Sequence, residues 1–463
     1  MIRSRALLAV TAIPASVLIL YTWHPWQNFS RIDCRRGRQQ FEREYGRANL
    51  RLSRGSLYRL KKFMDKVAKG ESLTISVVGG SVTRGHHVWT EEIWFSRLVE
   101  WIRSVSPRKA NHISVNGATA ATGSDYFSYC YPLHIPSDSN LVLIELGIND
   151  SAWEGHIVNL ENLLRGLLEM ESKPAVIVVE AMAFANGGVG GGGGRMHLPV
   201  AQYYGMSFCC QRHPLASHFG RYPELLRVYF SQNYWGDPDT WHLNARGHYD
   251  LGMLIASLLL DVACSPPPID PIPPEASLPW GVEDDRVPPV LPGRFMNSTE
   301  LDTLPRLGVL DGWDPDTEHR RPTWRPICVS EQSPDATTSL HPVMNDGWVH
   351  WEDPDGQTKP YLTTQTPGAR ATFEIEVGDV GRVKVYSMRS RDLGLGLVRC
   401  WVNQDEDQAV KVVGYWDNDA SIGRLAVVRE GVAPGFHTVT CELLEETADP
   451  GGGHEFRMIA IMR

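Results

Sequence analysis

The chain has 463 residues, 45 Lys+Arg against 54 Asp+Glu, a net charge of -9 and 42% hydrophobic residues. That length suits two or three domains around a large core. The mild acidity and the lack of a dominant basic stretch exclude nucleic acid as the expected partner.

Arg3 and Arg5 precede an apolar run over residues 6–23, broken only by Thr11, Pro14, Ser16 and Thr22. The run is close to the ~20 residues that span a bilayer. No small-x-small cleavage site ends it; Tyr21, Trp23, His24 and Trp26 stand there instead, and such aromatics suit a membrane interface. Residues 1–26 are therefore read first as an N-terminal membrane anchor helix and second as a cleaved signal peptide. Either sends the protein into the secretory pathway. It would be single-pass in the Golgi or at the cell surface, or secreted if the segment is removed. The eight cysteines and the sequons Asn28-Phe-Ser and Asn297-Ser-Thr agree with that route. No CxxC pair occurs, so no metal site is expected.

Residues 27–70 are polar and basic, with Leu57, Leu60, Phe63 and Val67 at helical spacing, and predict a stem and a helix. Residues 71–264 alternate strand and helix signals. Apolar runs at 73–78, 112–116, 140–146 and 175–182 read as strands. Amphipathic stretches at 89–105, 157–170 and 245–262 read as helices. Continuously apolar strands between helices predict an α/β fold, a parallel sheet with helices on both faces. The glycine-rich stretch at 186–194 lacks phosphate-loop spacing and reads as a flexible insertion loop. Residues 265–293, rich in proline, read as a stiff linker. From 294 to 463, apolar and polar residues alternate with period two, predicting a C-terminal antiparallel β-sandwich. Cys400 and Cys441 lie in two of its strand-like segments and can pair across a sheet. Trp348, Trp351, Trp401 and Trp416 either fill its core or stack on sugar rings.

Four segments carry chemistry. Gly79-Gly80-Ser81-Val82-Thr83-Arg84-Gly85 follows the first strand, so Ser81 sits in a turn at a strand's carboxyl end, where ligands of such sheets bind. Asn116-Gly117-Ala118-Thr119-Ala120-Ala121-Thr122-Gly123 follows the second, with small residues that let amides approach a ligand. Leu146-Gly147-Ile148-Asn149-Asp150 ends the third strand, where an asparagine can donate to an oxyanion. Asp239-Thr240-Trp241-His242 precedes the last helix, and a carboxylate three residues from an imidazole in one loop can orient it. Each alone also fits an ordinary turn. The Asn149-Asp150-Ser151 sequon is read as coincidental. His248, well inside the last helix, is assigned a structural role.

Together these segments resemble the SGNH hydrolase superfamily of GDSL-like esterases. GGSVTRG is similar to the nucleophile block, LGIND to the GxND block and DTWHLNARGH to the DxxH block. The resemblance covers about residues 71–264. It implies a flavodoxin-like sheet, a Ser81, His242 and Asp239 triad, and oxyanion donors on Ser81, Ala121 and Asn149, with no cofactor. Ala121 falls where such proteins usually carry glycine. The whole chain also resembles uncharacterised fungal or algal proteins, some described as capsule-associated. The expected function is hydrolysis of an acyl ester, acetyl first, on a carbohydrate. The alternatives are glycan O-acyl transfer with the same triad and a non-catalytic glycan-binding or wall protein.

Overall fold

The computed structural model describes residues 34–45, 51–53, 55, 57–265, 304–312, 323–352 and 359–463. The expected anchor, the sequons at 28 and 297 and nearly all of the proline-rich stretch lie outside them. Among the described residues, no helix is long and apolar enough to cross a membrane.

Eight strands precede residue 250: β1 (Arg51–Ser53), β2 (Thr74–Gly79), β3 (Ile113–Asn116), β4 (Leu141–Glu145), β5 (Ala175–Glu180), β6 (Ser207–Cys210), β7 (Phe230–Gln232) and β8 (Pro238–Leu243). The first six form one sheet in the order β1-β6-β5-β4-β2-β3, with β1 antiparallel on the edge and the other five parallel. Read along the chain, the parallel strands follow the flavodoxin-like order, as the resemblance implies. Every residue of β2, β4 and β5 is buried, because helices cover both faces of the sheet.

On one face lie the helices Tyr58–Lys69, Trp94–Val105 and Ala245–Ala263. Trp94–Val105 buries Trp94, Phe95, Leu98, Val99, Trp101, Ile102 and Val105, the stripe that a 3.6-residue period places on one side. Ser124–His134 and Gly155–Glu169 cover the other face. The expected strands and helices are thus present. The sequence reading passed over β6 and the β7–β8 hairpin, which are short and carry polar residues.

Residues 328–463 hold β9 (Cys328–Ser330), β10 (Met344–Asp346), β11 (Val349–Trp351), β12 (Tyr361–Thr364), β13 (Arg370–Val377), β14 (Val383–Arg389), β15 (Leu397–Val402), β16 (Val410–Val413), β17 (Ile422–Arg429), β18 (Gly435–Leu443) and β19 (Phe456–Met462). They form two antiparallel sheets, β10-β13-β18-β15-β16 and β11-β12-β19-β14-β17. Phe373, Ile375, Val398 and Val439 of the first share a core with Val383, Val385, Met458 and Ile461 of the second. The other face of the second sheet presents Tyr386, Met388, Ile459 and Ala460 to Tyr126, Phe127 and Leu160 of the α/β part. Burial on both faces explains why β14 and β19 lack clean alternation.

Three disulfides are present: Cys34–Cys264, Cys130–Cys328 and Cys400–Cys441. The last joins directly opposed residues of β15 and β18. Cys130–Cys328 ties helix Ser124–His134 to β9 across 198 residues of chain. A loop of that length corresponds to about 5 kcal/mol in the chain-entropy model. Cys209 and Cys210 take part in none of these disulfides; both are buried, and the Cys210 thiol donates to Glu180 Oε2 at 2.9 Å.

Trp348 is buried in the core between the two sheets, while Trp401 is buried beneath the guanidinium groups of Arg370 and Arg399. Trp351 stacks on Tyr361, with ring centres 5.6 Å apart. The glycine run is exposed over 187–190 and packed over 191–194. Gly191–Gly194 are buried, the Asn186 side chain donates to the carbonyls of Ile148 and Asp150, and the Gly193 amide donates to Asp150. A Cβ on Gly194 would lie 2.0 Å from Glu180 Oε1, and one on Gly193 would lie 2.4 Å from Asp150 Cβ. At Gly193 and Gly194 two buried acidic residues leave no room for a side chain.

Candidate active site

Ser81 begins a four-residue helical turn, Ser81–Arg84, directly after β2. Gly85 stops it in the left-handed region, at φ 97°, donating its amide to the Ser81 and Val82 carbonyls. Gly80 allows close approach from the other side: a Cβ there would lie 1.9 Å from Asn149 Nδ2. The Asn149 amide is thus pressed against the turn that carries Ser81. One of its N–H groups donates to the Thr122 carbonyl at 3.0 Å. Asn116, at the end of β3, donates to the Thr83 carbonyl and ties the second segment to the same turn.

His242 and Asp239 lie on β8, not in a plain loop as expected from sequence. An odd spacing puts strand side chains on opposite faces. The pairing of β8 with β7 is irregular between Phe230 and Gln232, and Asp239 Oδ1 accepts from the Trp241 amide at 2.9 Å. That turn brings the two side chains together. The following helix, Ala245–Ala263, is capped by Asn244, whose side chain accepts from the amides of Arg246 and Gly247. Such a cap contributes about 1 kcal/mol and fixes where the strand ends.

The contacts form one line. Ser81 Oγ lies 2.9 Å from His242 Nε2, and His242 Nδ1 lies 2.7 Å from Asp239 Oδ2. An imidazole so placed can take a hydroxyl proton while the carboxylate fixes its tautomer. Burial would raise the Asp239 pKa, but hydrogen bonds from His242 and the Trp241 amide outweigh it and hold it at about 2. Asp239 is therefore an anion at neutral pH.

The serine opens on a cleft of about 440 Å³, lined by Arg84, His86, His87, Trp89 and Ala120 among others. Ala120 lines this cleft, and the Ala121 N–H belongs to the peptide group that follows it. Ala121 has a left-handed φ of 47°, and its carbonyl accepts from Lys359 Nζ and the Gly423 amide.

The sequence reading missed His86 and His87, although they directly follow the serine segment. The His86 ring centre is 4.4 Å from that of His242, and His87 Nε2 is 3.5 Å from Asp239 Oδ2. Desolvation, then the charges of His242 and His87, push His86 down to about 4. His86, His87 and His242 bring ligand-capable nitrogens within 4.8 Å of one another. Both ring nitrogens of His242 are already engaged, so a cation there would have to displace the serine or the aspartate contact. His248 is fully buried, and its Nδ1 accepts from the Trp94 amide at 3.2 Å. It caps a helix start, in keeping with the structural role expected of it.

Asp150 supports the floor of the site. Its oxygens accept from the Ser124 amide at 2.8 Å and from His197 Nε2 at 2.7 Å, with His156 Nδ1 at 3.3 Å. Burial opposes its charge; His156 and His197 prevail and hold it at about 2. Glu145, at the end of β4, behaves oppositely. Burial pushes it up to about 8 against hydrogen bonds from Thr83 and the Gly80 backbone, with Glu180 and Asp150 adding to the rise.

Two predictions arise here. On the expectation that Asn149 donates to an oxyanion, Asn149→Ala should lower kcat on an ester about 100- to 1000-fold with a small change in KM, because such a donor acts mainly in the transition state. A loss confined to KM would contradict that role. For Glu145 the folded pKa, about 8, exceeds the unfolded value of roughly 4.3. The folded state binds the proton more tightly, so its contribution is complete below about pH 4 and fades as pH rises towards 8. Melting temperature should fall between pH 6 and 9, and less steeply in Glu145→Gln. Parallel profiles would exclude the effect.

No family model matches the chain, and neither does any curated protein. Among solved structures it is similar to a two-domain esterase (CEX) active on acetylated mannans. Identity is 20%, coverage 89% of this chain and 96% of that one, and the TM-score 0.62. The same esterase co-crystallized with mannopentaose matches at 21% identity and TM-score 0.62, over 89% and 95% of the two chains. The psychrotrophic esterase EstA from Pseudoalteromonas sp. matches 41% of this chain and 97% of its own, at 15% identity and TM-score 0.31. The parallel α/β sheet and the C-terminal antiparallel sheets of this chain thus share the fold of a two-domain esterase.

Proposed function

We propose that the chain is a serine esterase that removes acyl groups, acetyl first, from a glycan. The observation that carries this reading is the aligned contact from Ser81 through His242 to Asp239 at the floor of an open cleft. In the proposed reaction His242 Nε2 takes the Ser81 proton as Oγ attacks the ester carbonyl. The amides of Ser81 and Ala121 and the second N–H of Asn149 hold the tetrahedral oxyanion. Collapse breaks the ester C–O bond, and His242 returns its proton to the departing sugar hydroxyl. Water, deprotonated by His242, then attacks the acyl-enzyme and frees the acid and the serine.

A carbohydrate substrate is supported by Trp89, 74% exposed on the cleft wall, where a flat ring can stack on a sugar. The likeness in fold to an esterase active on acetylated mannans points the same way. Three disulfides support passage through an oxidising compartment, which fits the secretory segment read at residues 1–26. Release of free acetate from a panel of acetylated glycans tests the assignment. Acetate release by the wild type is expected. Folded protein that releases none from any glycan or simple acetyl ester would overturn it, and transfer to a sugar acceptor instead would make it an acyltransferase.

A further inference from the structure

Lysine is among the residues least often fully buried, because an ammonium group loses its hydration there. Lys359, just before β12, is 4% exposed. Its Nζ crosses to the α/β part and donates to the Ala121 carbonyl at 2.9 Å and to Thr122 Oγ1 at 3.1 Å. Thr122 Oγ1 in turn donates to the Ala120 carbonyl at 3.0 Å. A second residue of the C-terminal sheets, Gly423, donates its amide to the Ala121 carbonyl. Its neighbour Arg424 lies 3.9 Å from Asp125, which is also buried and one turn further along the same segment.

These bonds fall on the two peptide units that flank residue 121. The Ala120 carbonyl and the Ala121 N–H belong to the same peptide group, and in a trans peptide they point in opposite directions. The chain has no cis peptide among its described residues. Anchoring the Ala120 oxygen through Thr122 and Lys359 therefore fixes the opposite heading of the Ala121 N–H. Without an anchor, alanine leaves the left-handed region, which its Cβ disfavours. Lys359 and Gly423 hold residue 121 in that region.

We propose that Lys359 is a positioning residue for the reaction: from the C-terminal β-sheets it holds residues 120–122 so that the Ala121 amide stays aimed at the oxyanion. This rests on the esterase reading above. It makes the C-terminal sheets part of the machinery rather than a separate binding module.

The test uses the full chain, with active sites counted by a fluorophosphonate probe and rates read on a simple acetyl ester. Lys359→Met keeps the aliphatic stem and removes the donors. Per labelled site, its kcat is expected to fall about 10- to 100-fold, with KM within about threefold of wild type. Adding Ala121→Gly to Lys359→Met is expected to restore about fivefold, since glycine populates the left-handed region unaided. A merely structural lysine would give no such rescue. A folded Lys359→Met with kcat within twofold of wild type overturns the proposal, as does a loss that glycine at 121 does not relieve. If Lys359→Met fails to fold, Thr122→Val breaks the same relay while keeping the side-chain shape. It carries the same expected loss, and an unchanged rate overturns the proposal equally. A wild type that neither labels nor turns over ester defeats the esterase reading and this proposal with it. A wild type that does both beside an unaffected Lys359→Met defeats this proposal alone.

Discussion

Replacing Ser81 with alanine is expected to lower ester turnover by about 10⁴-fold or more while shifting the melting temperature by about 2 °C or less. The hydroxyl makes one side-chain hydrogen bond, to His242, and is half-exposed on the cleft. Losing such a bond costs about 1 kcal/mol. The turn itself is built by other groups: Gly80 makes room for Asn149, and the Gly85 amide closes on the Ser81 and Val82 carbonyls. The fold therefore survives the change, while the chemistry loses its nucleophile. Steady-state rates and thermal melts on the same preparations check this. Equal rates in both proteins would remove Ser81 from the mechanism.

Asp239→Asn should cost nearly as much, about 10⁴-fold in kcat, and the reason is specific to this strand. Asp239 Oδ1 is held by the Trp241 amide, a donor, and Oδ2 faces His242 Nδ1. In the asparagine variant the Trp241 amide keeps the side-chain oxygen, so the NH₂ turns towards His242. Nδ1 must then accept, and the ring proton moves to Nε2. That nitrogen can no longer take the serine proton. The wild-type carboxylate, held at about 2, ionises well below neutral pH, so Asp239 does not set the acid limb of activity. Its depressed pKa also contributes stability that is present above about pH 4 and is lost as pH falls through about 2. A kcat loss under tenfold in Asp239→Asn would contradict the tautomer argument.

The parts of this site that sequence reveals are those carried by short, local patterns. Ser81 could be read from a glycine turn after an apolar strand. Asp239 and His242 stand out by spacing, and Asn149 by its place at a strand's end. The parallel sheet was legible because β2, β4 and β5 are buried on both faces and hence wholly apolar. What sequence hid depends on distant neighbours. Lys359 meets Ala121 across 238 residues, and nothing near either position signals the other. Gly193 and Gly194 look like part of a free loop until Asp150 and Glu180 are seen to fill the space beside them. Strand β8 reads as a loop in the sequence because its pairing with β7 is short and irregular. His86 and His87 are a different case. They adjoin the serine segment, and two imidazoles beside a nucleophile turn were signal enough to place them on the cleft.

The central claim is that the Ser81 oxygen is made nucleophilic by His242, and a covalent probe tests it most directly. The intact folded chain is treated with a fluorophosphonate, digested, and its peptides weighed by mass spectrometry. A single stoichiometric adduct is expected on the peptide carrying Ser81, formed far more slowly when His242 is replaced by glutamine. Unmodified Ser81 in folded protein, or an adduct that forms equally fast without the imidazole, would contradict that claim.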